Sequence, residues 1–184
     1  MQSEKLIQSL IEQSRQTINR AEKLKALDIT SLTWREATES WNILECLEHL
    51  NRYGDFYLPQ MEQKIKQSPR QTESEWQSSW LGSYFASSML PKEKLNKMKT
   101  FRDKNPLHTP LDKTVIDRFI NQQIKLLELL NQAENVSLNR VKISTSISRL
   151  LKLKLGDTLL FYTNHILRHL QQIERIQGRQ QTTR

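Results

Sequence analysis

Leu155-Gly156-Asp157-Thr158-Leu159-Leu160-Phe161-Tyr162-Thr163-Asn164-His165-Ile166-Leu167-Arg168-His169 is the stretch on which the reading of this chain turns. Two histidines four apart on a helix lie one above the other on the same face, with Cβ atoms roughly 6 Å apart. At that spacing both imidazoles can reach one divalent metal ion. The chain has only four histidines, so half of them stand here. A metal site then needs a third ligand and a scaffold that brings it to the pair.

Composition favours a helical scaffold. Gly and Pro number four and five in 184 residues, too few for the turns of a sheet protein. Gln, Glu, Lys and Leu are abundant, and all lose little rotamer freedom in a helix. The length suits a single domain, residues 1–184, with a core that needs no staples. The one cysteine, Cys46, excludes an internal disulfide framework and favours a reducing compartment. No run approaches eighteen apolar residues, and the first residues lack a signal-type core, so a cytoplasmic protein is expected. The net charge of +8 is spread along the chain. Residues 91–105 hold six basic and two acidic side chains, and residues 140–154 hold five basic and none acidic. Neither segment carries a base-reading element, so a solvated basic surface is expected rather than specific nucleic-acid binding.

Periodicity places four long helices. The first spans residues 3–27, with Ile7, Ile11, Ser14, Ile18 and Ala21 as its stripe. Residues 28–40 read as a connection anchored by Trp34. The second helix starts with Asn42 as cap and Glu45 three residues on, and runs towards Ile65 with a kink or break expected at Pro59. It carries His49 beside Leu50 and Tyr53. Residues 67–110 form a long irregular crossover with one short helix at 92–99. Its aromatics, Trp76, Trp80, Tyr84 and Phe85, either cover a pocket mouth or pin the crossover to the helices. His108, between Pro106 and Pro110, is expected at the surface. The third helix begins at Thr114 with Asp117 as the capping acid and ends near Ala133. Residues 134–149 alternate enough for a short extended piece. The fourth helix covers residues 156–177, with a frayed tail beyond Gly178.

Four amphipathic helices around one core are the ingredients of a four-helix bundle, whose facing side chains can build a metal site. Placing His49 beside His165 and His169 gives three imidazoles on one ion with an open fourth position. Cys46 lies one turn before His49 and reads as a small packing residue rather than a fourth ligand.

Trp41-Asn42-Ile43-Leu44-Glu45-Cys46-Leu47-Glu48-His49-Leu50 resembles the helix-two motif of the DinB-like superfamily. Leu155-Gly156-Asp157, leading to His165-Ile166-Leu167-Arg168-His169-Leu170-Gln171-Gln172-Ile173, resembles its last-helix motif. Lys97-Met98-Lys99-Thr100 and Pro106 extend the resemblance over most of the chain. The resemblance implies an all-α, up-down-down-up four-helix bundle with a long crossover between its second and third helices. It also implies a divalent metal, zinc or nickel, on His49, His165 and His169. Relatives include transferases that use thiols such as bacillithiol, a mycothiol-dependent maleylpyruvate isomerase and amidase-like members. The leading expectation is a transferase using a low-molecular-weight thiol. Amide hydrolysis, with Glu45 or Glu48 weighed as general base although each is expected to face solvent or cap the helix, and a non-catalytic stress-response bundle are the alternatives. The expected partners are a small-molecule substrate and a second copy of the chain, with no specific nucleic acid and no membrane.

Overall fold

Among the described residues of the computed structural model, 1–90 and 100–183, six α-helices dominate, with one 3₁₀ turn and one two-stranded hairpin. In chain order the helices are α1 (Ser3–Lys25), α2 (Ile29–Thr33), α3 (Ile43–Gln67), α4 (Trp80–Ser88), α5 (Thr114–Ala133) and α6 (Leu155–Thr183). The 3₁₀ turn is Arg102–Lys104, and the hairpin pairs β1 (Lys142–Ser144) with β2 (Lys152–Lys154). The protein is therefore mostly helical rather than purely so.

The four long helices pack as a closed ring, α1 against α5 and α6, and α3 against the same two. Side-chain pairs give their relative directions. Gln8 meets Glu134 and Lys25 meets Asp117, so α1 and α5 run antiparallel. Glu48 meets Arg118 and Glu62 meets Lys125, so α3 and α5 run the same way. Tyr57 meets Phe161 while His49 meets His169, so α3 and α6 are antiparallel. Inside lie Ile7, Leu10, Leu47, Leu50, Phe119, Leu130, Leu159 and Ile166, all buried. On α5 the buried face takes in Leu129, while Leu127 is only partly buried.

The capping box of α3 forms as expected. Asn42 Oδ1 accepts from the Glu45 N–H at 2.8 Å, and the Glu45 carboxylate accepts from the Asn42 N–H at 2.9 Å. Other expectations are corrected. The connection at 28–40 contains α2, capped by Asp28, and its anchor is the fully buried Leu32, with Trp34 only half-buried. Pro59 does not break α3, which continues to Gln67. The donor that Pro59 lacks would have met the carbonyl of Asp55, and both residues are exposed, so water can satisfy that oxygen. At the start of α5 the capping side chain is Asp112, which accepts from the Thr114 N–H at 2.9 Å. Asp117 instead pairs with Lys25 at 2.9 Å. The crossover contains α4, and the short helix expected at 92–99 lies outside the described residues. α6 does not fray after Gly178. Gln180 is buried, Arg179 pairs with Glu36, and Thr182 and Thr183 donate to carbonyls one turn back.

The start of α6 is fixed by what packs on it. Asp157 is fully buried and accepts from Ser78 Oγ at 2.7 Å, Ser79 Oγ at 2.6 Å and the Ser79 N–H at 3.2 Å. Ser79 in turn caps α4 by accepting from the Gly82 N–H. Beside it, Trp76 covers Gly156 so closely that a Cβ there would lie 2.4 Å from the indole Nε1. Trp76 and the partly buried Phe85 thus pin the crossover, while Trp80 and Tyr84 face outward. This clamp holds the helix that carries His165 and His169.

Candidate metal centre

His49 on α3 faces His165 and His169 on α6, and one ligand atom from each lies within 4.8 Å of the other two. His165 Nε2 sits 3.2 Å from His49 Nε2 and 3.1 Å from His169 Nε2. All three residues are buried, the most exposed being His169 at 9%. Trp41 lies against His49 and His169, Tyr53 against His49 and His165, and Phe161 against His165.

The outer nitrogens set the tautomers. His49 Nδ1 lies 2.7 Å from the Lys104 carbonyl, which can only accept, so Nδ1 carries the hydrogen. His169 Nδ1 lies 2.9 Å from Gln172 Oε1 and donates in the same way. Both Nε2 lone pairs therefore point inward, the arrangement that carbonyl partners impose on metal-ligating imidazoles. Burial lowers the pKa of all three. His49 falls to about 4, burial being helped by the charges of Arg52 and Lys104 and opposed by the bond to the Lys104 carbonyl. His169 falls to about 3, through burial and then the neighbouring His49. His165 lies well below the ordinary value, through burial and then His169 and His49. All three are neutral at pH 7, as ligands must be.

The sequence profile of the DinB superfamily matches residues 10–173. The chain belongs to the DinB superfamily. No curated protein and no solved structure matches it significantly. The donor set of this DinB protein fits a metal ion on its own chemistry. Two nitrogens at ~2.0–2.1 Å from a tetrahedral ion stand ~3.3 Å apart, close to the two Nε2 separations seen. Without an ion the trio cannot satisfy itself. A hydrogen on His165 Nε2 can serve only one of the two inward-facing lone pairs, which lie 3.2 and 3.1 Å away.

The other sequence candidates are occupied elsewhere. Glu45 caps α3, pairs with Arg35 at 3.0 Å and accepts from the His108 N–H; it is fully buried rather than solvent-facing. Glu48, also buried, pairs with Arg52 and Arg118. Cys46 packs in the core, where burial pushes its thiol pKa up, and it does not join the imidazoles. His108 is exposed, as expected. The sequence reading missed Lys104 and Gln172. Gln172 is three residues after His169 on one helix, a spacing that makes neighbours. Lys104 contributes a backbone carbonyl, for which its side chain gives no signal.

Proposed function

We propose that this DinB-superfamily protein is a divalent-metal-dependent transferase that uses a low-molecular-weight thiol, with His49, His165 and His169 as ligands. The observation that carries the reading is the convergence of three neutral imidazoles, two with tautomers fixed so that Nε2 faces the third. The helix directions support an up-down-down-up bundle spanning residues 1–184 as its scaffold, with residues 68–113 as the crossover. Zinc or nickel suits such a donor set. A divalent ion held there lowers the pKa of a thiol or water bound to it.

The choice of a thiol over amide hydrolysis rests on what surrounds the imidazoles. A hydrolase wants a free general base, and among the described residues no carboxylate oxygen or thiol joins the group. Glu45 and Glu48 are held by arginines. The charges that do act on the histidines are cationic, Arg52 and Lys104 at His49 and Arg168 at His165. Such a surrounding draws in an anionic thiol and lowers the cost of its ionised form. Trp41, Tyr53 and Phe161 supply apolar walls for the electrophile.

Untagged protein should carry about one divalent ion per chain, as a three-ligand site does, and conjugate a small thiol to an electrophile. His165→Ala should lose both the ion and the conjugation. Unchanged metal content and unchanged conjugation in that variant reject the proposal, and amide turnover without added thiol would replace it with hydrolysis.

A further inference from the structure

We infer that the β1–β2 hairpin forms a docking surface for an anionic lipid bilayer. In its register Lys142 stands opposite Lys154 and Ser144 opposite Lys152, while Ile143 and Leu153 turn into the protein and are buried. The lysines therefore share the outer face. The connection between the strands adds Arg149, which is exposed, together with Ile147 at 51% and Leu150 at 94% exposure. No acidic residue occurs from 140 to 154. Among the described residues no ion pair neutralises Lys142, Arg149, Lys152 or Lys154; Lys154 donates only to the Gln77 carbonyl.

Two large aliphatic side chains exposed at the tip of a basic hairpin offer apolar area that a partner would gain by burying. The charge pattern selects what does. A second copy meeting this hairpin across a two-fold axis would set the four cations against themselves. Nucleic acid would take the cations and leave Leu150 and Ile147 bare, with no base-reading element to use them. An anionic bilayer answers both features, with lipid phosphates for the lysines and the acyl boundary for the aliphatic tip. Beside the hairpin, α4 packs on β2 and presents Trp80 at 83% and Tyr84 at 62% exposure, stacked on one another. Such aromatics settle at the headgroup level of membranes. The expectation that a membrane is no partner rested on the lack of a spanning segment. No described helix is long and apolar enough to cross a bilayer, and attachment at the surface requires none.

Sedimentation with lipid vesicles tests this. Full-length protein should pellet with phosphatidylcholine vesicles containing about a third phosphatidylglycerol and stay in solution with pure phosphatidylcholine. Lys142→Gln with Lys152→Gln should weaken partitioning about 25-fold, at roughly fivefold per lysine near the surface. Ile147→Ser with Leu150→Ser should weaken it tenfold or more on the order of one buried aliphatic side chain. Unchanged melting temperature and metal content in both variants would show that the fold is intact. Absence of wild-type binding to anionic vesicles, equal binding to neutral ones, or binding that survives the Ile147/Leu150 substitutions overturns the inference. The last result, with equal retention of a duplex oligonucleotide, would make the hairpin a polyanion-binding surface instead.

Discussion

At the level of single residues, the site joins neutral imidazoles to partners that hold them in one orientation. Gln172→Leu removes the acceptor from His169 Nδ1 without touching a ligand atom. Metal affinity should fall about 10- to 100-fold, the usual cost of losing such a support, in competition with a chromogenic chelator. The depressed histidine pKa values also make metal-free protein acid-sensitive. An unfolded histidine takes up its proton near the ordinary value of 6.5, while the folded His49 and His169 wait until about 4 and about 3. Between those limits the unfolded chain binds more protons, so stability is full above 6.5 and is lost as the pH falls towards the folded values. Urea titrations of metal-free protein at pH 7, 6 and 5 should show that loss at up to about 1.4 kcal/mol per pH unit for each histidine. His49→Ala should flatten the slope before carboxylates titrate. An unchanged slope would mean the imidazoles are not held neutral.

At the level of elements, much of the layout was legible because apolar stripes and caps are local signals. Asn42 and Glu45 gave the start of α3, and the four long stripes gave the four long helices. What could not be read depends on partners distant in sequence. Leu32, not Trp34, anchors the first connection: it is fully buried in the core cluster, whereas Trp34 is only half-buried. Serines at 78 and 79 look like loop residues until the buried Asp157 collects them. Past Gly178, α6 continues with Gln180 buried and Arg179 meeting Glu36, far away in sequence. The ligand triad was legible through motif and spacing, whereas the Lys104 carbonyl was not. The two glycines of α6 illustrate the same divide and should respond in opposite ways. Gly178→Ala meets nothing within 4 Å and should stabilise by about 0.5–1 kcal/mol through helix propensity. Gly156→Ala drives a methyl into the Trp76 indole and should cost about 1–3 kcal/mol. Chemical denaturation of the two single variants decides it, and equal effects would show that Trp76 does not clamp the start of α6.

Across the whole molecule, the metal centre ties together helices far apart in sequence, since His49 and His165 are separated by 116 positions. A ligand that binds only where α3 and α6 are assembled has no counterpart in the unfolded chain, so its binding free energy appears as folding free energy. At a free ion concentration a hundredfold above Kd the gain is about 2.7 kcal/mol. For a chain of this size each kcal/mol moves the melting temperature by about 2–4 °C, so a rise of about 5–10 °C is expected on adding zinc or nickel to metal-free protein. The rise should grow with the logarithm of metal concentration, because mass action rather than a fixed contact sets it. His49→Ala and His165→Ala should each abolish it, since either leaves the ion held from one helix or by two ligands. Ser substitutions at Ile147 and Leu150 should leave it intact, because the hairpin tip contributes no ligand. Equal melting temperatures with and without metal would leave the three histidines as a packed core cluster and return the protein to a non-catalytic bundle.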